Sequence, residues 1–332
     1  MLTVGLIGAG RIGRVHASTI VQDEGSQLVA VADSVDENAK NLAKLYKVNP
    51  RSVDAIFEDN SIEAILIASS TDTHSDFIEK ASIAGKAILC EKPVDLSLAR
   101  AKRCLENTKS NEHSIMMGFN RRFDPNFVAL KNALDGGEIG TAELLSITSF
   151  DPAPPPIDYV KVSGGIFKDM MIHDFDMANF LYVDLPKSVF VSASAIIDKK
   201  IGALGDYDTA VATLKYRDGR LAVIKNSRRA TYGYDQRIEV LGSKGLLQVQ
   251  NMVENSMVKS TEMGVESSKP EYFFLERYKS AYQNEWTAFV TAVKTKTPMP
   301  VSLSDGIAAL AIAEAAAASA EMGSEVEIAN FL

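Results

Sequence analysis

The chain opens on an apolar run, Leu2-Thr3-Val4-Gly5-Leu6-Ile7, followed at once by Gly8-Ala9-Gly10-Arg11-Ile12-Gly13. A G-x-G-x-x-G pattern between a strand and a helix constrains a fold more tightly than any composition. Its first glycine permits a tight turn. The second leaves the backbone bare for a phosphate, and the third lets helix and strand pack closely. The helix start then offers unpaired N–H groups and partial positive charge. A second apolar run, Leu28-Val29-Ala30-Val31-Ala32, ends in Asp33, twenty residues past Gly13. That is where a dinucleotide-binding βαβ unit keeps the acid for the adenosine ribose hydroxyls. A dinucleotide site is therefore expected at Gly8, Ala9, Gly10, Arg11, Ile12, Gly13 and Asp33, with Ser34 beside it. A carboxylate at position 33 repels a 2′-phosphate, and no Arg or Lys follows before Lys40. The expected cofactor is NAD rather than NADP, with Arg11 the one residue that could reach toward a phosphate.

A length of 332 residues is enough for two domains at roughly 150 residues each. The net charge of −8 argues against a nucleic-acid surface and against an anionic membrane. His16, His74, His113 and His173 are scattered, and Cys90 and Cys104 lack metal-ligand spacing, so neither a metal nor a disulfide framework is expected. A reducing cytoplasm suits this cysteine usage. The chain begins directly in a strand pattern, and no apolar run is expected to reach the ~18 residues of a membrane span.

Residues 1 to about 120 alternate apolar runs with helical stretches, the pattern of a doubly wound parallel sheet. Ala64–Ala68, Ala87–Cys90 and Ser114–Gly118 read as further strands. Their ends are chemically loaded, with Ser69 to His74, then Glu91-Lys92-Pro93, then Phe119 to Asp124, and all should face the crevice of the glycine loop. After residue 122 the pattern becomes closely spaced strands, with an Asp218-Gly219 turn joining two of them. The expected organisation is an α/β Rossmann domain over 1–122, then an α+β domain over 123–332 with an open, mostly antiparallel sheet. The run Asp151-Pro152-Ala153-Pro154-Pro155-Pro156 is either an active-site wall or a rigid connection.

Gly164-Gly165 precedes a helical stretch containing Asp169 and His173, which share one helix face at a spacing of four. A carboxylate beside an imidazole favours the imidazolium and fixes its tautomer, which suits a general base for an alcohol proton. The spacing alone is equally that of a helix salt bridge. Lys92, held extended by Pro93, could polarise a reacting oxygen or be a surface loop lysine. His74 could line the cofactor or cap the next helix. Arg121 and Arg122 could grip a polyhydroxylated ligand or pair between domains.

Taken together, the N-terminal glycine loop, the Glu91-Lys92-Pro93 triplet and Gly164-Gly165-x-x-x-Asp169-x-x-x-His173 resemble the Gfo/Idh/MocA oxidoreductase family, from Leu2 to about Glu327. The resemblance implies that Lys92, Asp169 and His173 form the catalytic group and also touch substrate. It places Arg122, Tyr234 and Tyr282 in the substrate pocket. Ser69, His74, Glu91 and Lys92 join the cofactor-binding residues. The implied activity is NAD-dependent oxidation of a secondary alcohol of a cyclic polyol to a ketone, myo-inositol first. Another inositol isomer, a sugar such as glucose, or a non-catalytic NAD-binding regulator are the alternatives. A homotetramer built across the second sheet is implied as well.

Overall fold

Short strands, buried on both faces except at the edge strand Asn49–Pro50, build the first sheet of the computed structural model, which describes residues 1–332. They are β1 (Leu2–Ile7), β2 (Ser26–Ala32), β3 (Asn49–Pro50), β4 (Ala64–Ile67), β5 (Ala87–Glu91) and β6 (Ile115–Gly118). All pairings are parallel, in the order β3-β2-β1-β4-β5-β6. Val4, Leu6, Ile65, Leu66 and Leu89 are fully buried, as strands covered by helices on both faces must be. The winding reverses between β1 and β4, and ligands of open α/β sheets bind beyond the strand ends at such a point. In register, Ile7 pairs with Ile67, Ile67 with Cys90, and Glu91 with Gly118. The glycine loop, Ser69, Lys92 and Phe119 therefore leave the sheet along one edge, as the sequence pattern predicts.

The second sheet holds β7 (Ala142–Phe150), β8 (Ser188–Ser194), β9 (Thr209–Lys215), β10 (Leu221–Ser227), β11 (Asp235–Gly242) and β12 (Gly245–Val249). A hairpin, β13 (Val258–Thr261) with β14 (Gly264–Ser267), stands apart, and β15 (Val326–Glu327) closes the edge at β8. The order is β12-β11-β7-β10-β9-β8-β15, with only β7 and β10 parallel. Burial alternates along β9, β10 and β11, so one face is covered and the other open. Leu144, Phe190, Val211, Leu221, Leu241 and Leu246 are exposed. Gly219, at φ +95°, supplies the positive dihedral that the β9–β10 turn requires.

The chain forms two compact units. The first comprises Met1–Phe123 with Ser280–Leu310, and the second Asp124–Lys279 with Ala311–Leu332. The stretch 280–310, which the sequence pattern leaves with the second domain, packs in the first. The reason is tertiary: Trp286 is buried with its indole N–H donating to Ser26 Oγ at 2.9 Å. One further expectation changes. The helix Leu303–Met322 is long and apolar enough to cross a membrane by length and composition. Nine of its twenty residues are alanine, 61% of its apolar window is buried inside the protein, and its Glu314 pairs with Lys168 at 2.9 Å, all features of a core helix.

Candidate active site

In the first unit the three loop glycines occupy three different environments. Gly8 has φ +103°, and a Cβ there would stand 2.2 Å from the Ala68 carbonyl oxygen. A Cβ on Gly13 would stand 1.9 Å from the carbonyl oxygen of Gly8. Around Gly10 nothing lies within 4 Å of a Cβ position, so the loop is open on the side where a pyrophosphate approaches. The helix Arg11–Gln22 begins here without a side-chain cap, with Arg11 exposed and Ile12 half-buried. Asp33 is locked against the loop: its Oδ2 accepts from Ala9 N–H at 2.7 Å and its Oδ1 from Val35 N–H at 2.8 Å. Ser34 beside it is exposed. The residues present thus fit a dinucleotide, with Asp33 oriented in advance for a ribose diol.

A cleft beside Asp33 is lined by Lys40 and Arg51 as well, and these could greet a 2′-phosphate. Arg51 is committed to an ion pair with Asp59, which leaves Asp33 the dominant charge. Replacing Asp33 by alanine should lower kcat/KM for NAD by about 10–100-fold, the worth of a charged hydrogen bond, and narrow the preference over NADP. Paired assays with the two cofactors check this; an unchanged NAD/NADP ratio would count against the role of Asp33.

Lys92 follows β5 and is half-buried, with a cis peptide to Pro93. Its backbone N–H donates to Glu91 Oε2 at 3.2 Å. Glu91 itself is buried, with Oε1 2.7 Å from His16 Nε2. Burial pushes its carboxyl up, but the His16 hydrogen bond and the charges of His16, Lys92 and His74 outweigh this and leave it lowered. His74 is also buried, its Nδ1 2.8 Å from the Pro93 carbonyl and its Nε2 3.2 Å from that of Ser69. Its ring braces the Lys92 loop to the β4 end, and burial lowers its pKa. Ser69 shares a 2.7 Å hydrogen bond with Thr73. Arg122 pairs with Asp305 at 3.3 Å, and Tyr282 packs its ring against His16.

In the second unit, Gly164 and Gly165, at φ +83° and +81°, turn the chain into π-helix over Phe167–Met171. The α-helix Ile172–Tyr182 continues it. Inserted π turns are frequent at functional sites, and this one carries Asp169. Tyr159 O–H donates to Asp169 Oδ1 at 2.8 Å, and both terminal nitrogens of Arg228 lie 3.4 Å from Oδ2. Arg228 is buried and reaches Asp206 at 3.9 Å, while Asp206 accepts from Ile166 N–H at 2.9 Å. The proline run after β7 thus delivers the short helix Ile157–Ser163, whose Tyr159 holds Asp169. Four residues on, His173 is half-buried between the fully buried Ile172 and Asp174. Asp174 pins the helix to the sheet, accepting from Ser149 Oγ at 2.6 Å and Asn226 Nδ2 at 2.7 Å. Tyr234 is buried in an aromatic cluster with Phe273 and Tyr278.

The residues that sequence reasoning misses are Tyr159, Asp206 and Arg228 around Asp169, and His16 at Glu91. Arg228-Arg229 at a strand end is the one local signal that points to any of them.

Comparison with known proteins agrees with this arrangement. Residues 2–119 match the oxidoreductase family with an NAD-binding Rossmann fold, and residues 127–248 match the GFO/IDH/MocA C-terminal domain. The chain is 47% identical over 325 residues to an inositol 2-dehydrogenase of Rhizobium meliloti (strain 1021), covering 98% of both. It is 44% identical over 329 residues to a myo-inositol 2-dehydrogenase of Thermotoga maritima, again covering 98% of both. A myo-inositol dehydrogenase of Lactobacillus casei, solved in complex with NAD(H) and myo-inositol, superposes with a TM-score of 0.89 at 26% identity, over 98% of this chain and 96% of that one. The chain belongs to the GFO/IDH/MocA oxidoreductase family.

Proposed function

We propose that this chain is an NAD-dependent dehydrogenase that oxidises a ring hydroxyl of a cyclic polyol to a ketone, with myo-inositol oxidised at C2 as the substrate. The supporting observation is the half-buried pair Asp169 and His173, with Asp169 braced by buried Arg228 and by Tyr159, in a chain whose first unit carries a preformed dinucleotide loop. Gly8 to Gly13 and Asp33 would hold NAD, which when bound supplies the acceptor for the hydride leaving the carbinol carbon. His173 takes the hydroxyl proton as general base. Asp169 steadies the imidazolium that results, and its own orientation is set by Tyr159 and Arg228. Lys92 hydrogen-bonds the reacting oxygen and stabilises the charge that develops on it. Arg122, Tyr234 and Tyr282 complete the proposed substrate contacts.

The apolar residues on the open face of the second sheet support a homotetramer built across it. Two free, buried cysteines support a reducing, cytoplasmic setting.

The test is initial rates of NADH formation with NAD and with NADP across myo-, scyllo- and D-chiro-inositol, glucose and xylose. Fastest turnover is expected with myo-inositol and NAD. A pocket that hydrogen-bonds several hydroxyls should discriminate steeply among them. Turnover confined to a sugar would move the substrate and keep the mechanism. Silence across the panel with NAD still bound would overturn the reading in favour of a regulatory protein.

A further inference from the structure

The cleft at the ends of β2 and β3 is lined by Asp33, Asp36, Lys40 and Arg51, two acids against two bases. A lining balanced in this way would accept a phosphate as readily as a diol. One of the two bases, however, is held elsewhere. The Arg51 backbone N–H donates to the Val31 carbonyl at 2.9 Å, just past the Val31–Pro50 pairing, which fixes its main chain beside the end of β2. Its guanidinium is bound to the Asp59 carboxylate. Between the two lies the helix Val53–Glu58, six residues and about 9 Å of rise, so the ion pair draws the guanidinium along the helix and away from the strand ends. Asp59 is a prepared acceptor. Its Oδ1 takes Ser61 N–H at 2.8 Å and Ser61 O–H at 2.6 Å, which leaves Oδ2 for Arg51. Its main-chain carbonyl takes the ammonium of buried Lys86 at 2.7 Å, and the same ammonium reaches the Ile62 carbonyl at 2.8 Å. The Ser61 hydrogen bonds and the Arg51 pair hold the Asp59 carboxyl down at about 2, so it is ionised across the neutral range.

We propose that Asp59 is a specificity-determining residue for the cofactor: by holding Arg51 along its helix, it denies a 2′-phosphate the guanidinium of the cleft and so favours NAD over NADP. The inference rests on the reading of Asp33 as the ribose-binding acid. With Arg51 neutralised by Asp59, the cleft presents Asp33 and Asp36 against Lys40 alone and is net negative. A phosphate monoester brings roughly two further negative charges at neutral pH, and a ribose diol brings none. Arginine is also the side chain best shaped to grip a phosphate, through two parallel N–H donors, whereas a lysine offers only a point charge. Asp33 therefore disfavours NADP by repulsion, and Asp59 by withholding an attraction. Selectivity built from both elements is the usual pattern where two ligands differ by one group.

The experiment is calorimetric titration of the full chain with NAD, NADP and adenosine 2′,5′-bisphosphate. The proteins are the wild type, Asp59→Asn, Asp59→Ser, Arg51→Gln, Asp59→Asn combined with Arg51→Gln, and Asp33→Ala, with Tm measured for each. Asparagine at position 59 still accepts from Ser61, and serine keeps a short hydroxyl there, but neither carries the charge that holds a guanidinium. Both release variants should bind NADP and the bisphosphate about fivefold more tightly, with NAD unchanged. The gain is capped by the worth of the ion pair that is broken, and for a partly exposed pair that is about fivefold at most. Arg51→Gln alone should leave NADP as weak as in the wild type, and in the double variant the gain should vanish. NADP affinity unmoved in both release variants, beside wild-type NAD affinity, would overturn the proposal. So would a gain that survives in the double variant, because it would come from deleting a charge and not from freeing Arg51. NADP binding weakened by Arg51→Gln alone would overturn it too, since Arg51 would then already serve the phosphate. Asp33→Ala with unchanged NAD affinity would instead sink the reading of Asp33 itself.

Discussion

Replacing His173 by alanine should lower kcat by about 10²–10⁴-fold, the usual worth of a positioned general base, with NAD affinity unchanged. Structural reasons favour so clean an effect. The helix that carries His173 is fixed by Asp174, which takes two hydrogen bonds from β7 and β10, and by the buried Ile172 and Phe175. Nothing in that anchorage needs the imidazole. The substitution should therefore remove chemistry without loosening the scaffold, and Tm should move little. Initial rates with the polyol, beside an NAD titration, decide the matter. A kcat within a few-fold of wild type would mean that another group takes the proton. A collapse in NAD affinity would mean that His173 serves the cofactor.

The largest stability effect is expected at Asp124. Its carboxylate accepts from Asn126 N–H at 3.0 Å and Phe127 N–H at 3.3 Å, capping the helix Pro125–Asp135. It also binds the Arg277 guanidinium, and both partners are buried. Asp124→Ala removes the cap, worth about 1 kcal/mol, and leaves Arg277 buried without its counter-charge, worth about 3–5 kcal/mol. Asp124→Asn keeps a good capping side chain and loses only the charge, so it should be milder by about 1 kcal/mol. Adding Arg277→Met to Asp124→Ala should restore a large part of the loss, because the uncompensated charge goes with it. Urea denaturation of all four proteins measures these differences. If Asp124→Ala costs less than Asp124→Asn, the ion pair and the cap have been assigned the wrong weights.

What the sequence made legible was whatever depends on neighbours in the chain. The glycine loop is local, and each glycine meets the environment its place in the motif implies. The β9–β10 turn is likewise readable from a local signal. What could not be read depends on contacts far apart in sequence. The sequence pairs Asp169 with His173 four residues on, yet its braces are Tyr159, ten residues before it, and Arg228, fifty-nine after. The bond of the Glu91 carboxylate to His16, seventy-five residues away, likewise has no local signal. The π turn beneath Asp169 has no composition signature. The placement of Ser280–Leu310 with the first unit rests on burial of Trp286 and Tyr282, which no periodicity of that helix announces.

That returning stretch bears on how the protein is made. The six strands of the first sheet are complete by Gly118, but their flank at Ser26 and His16 is covered only when Tyr282 and Trp286 arrive. At ~5–20 residues per second, synthesis of the intervening 156 residues, Asp124–Lys279, takes about 8–30 s. For that interval the nascent nucleotide-binding half sits outside the ribosome with an open apolar side, the state in which chaperones hold a chain. A fragment ending at Phe123 would remain in that state permanently.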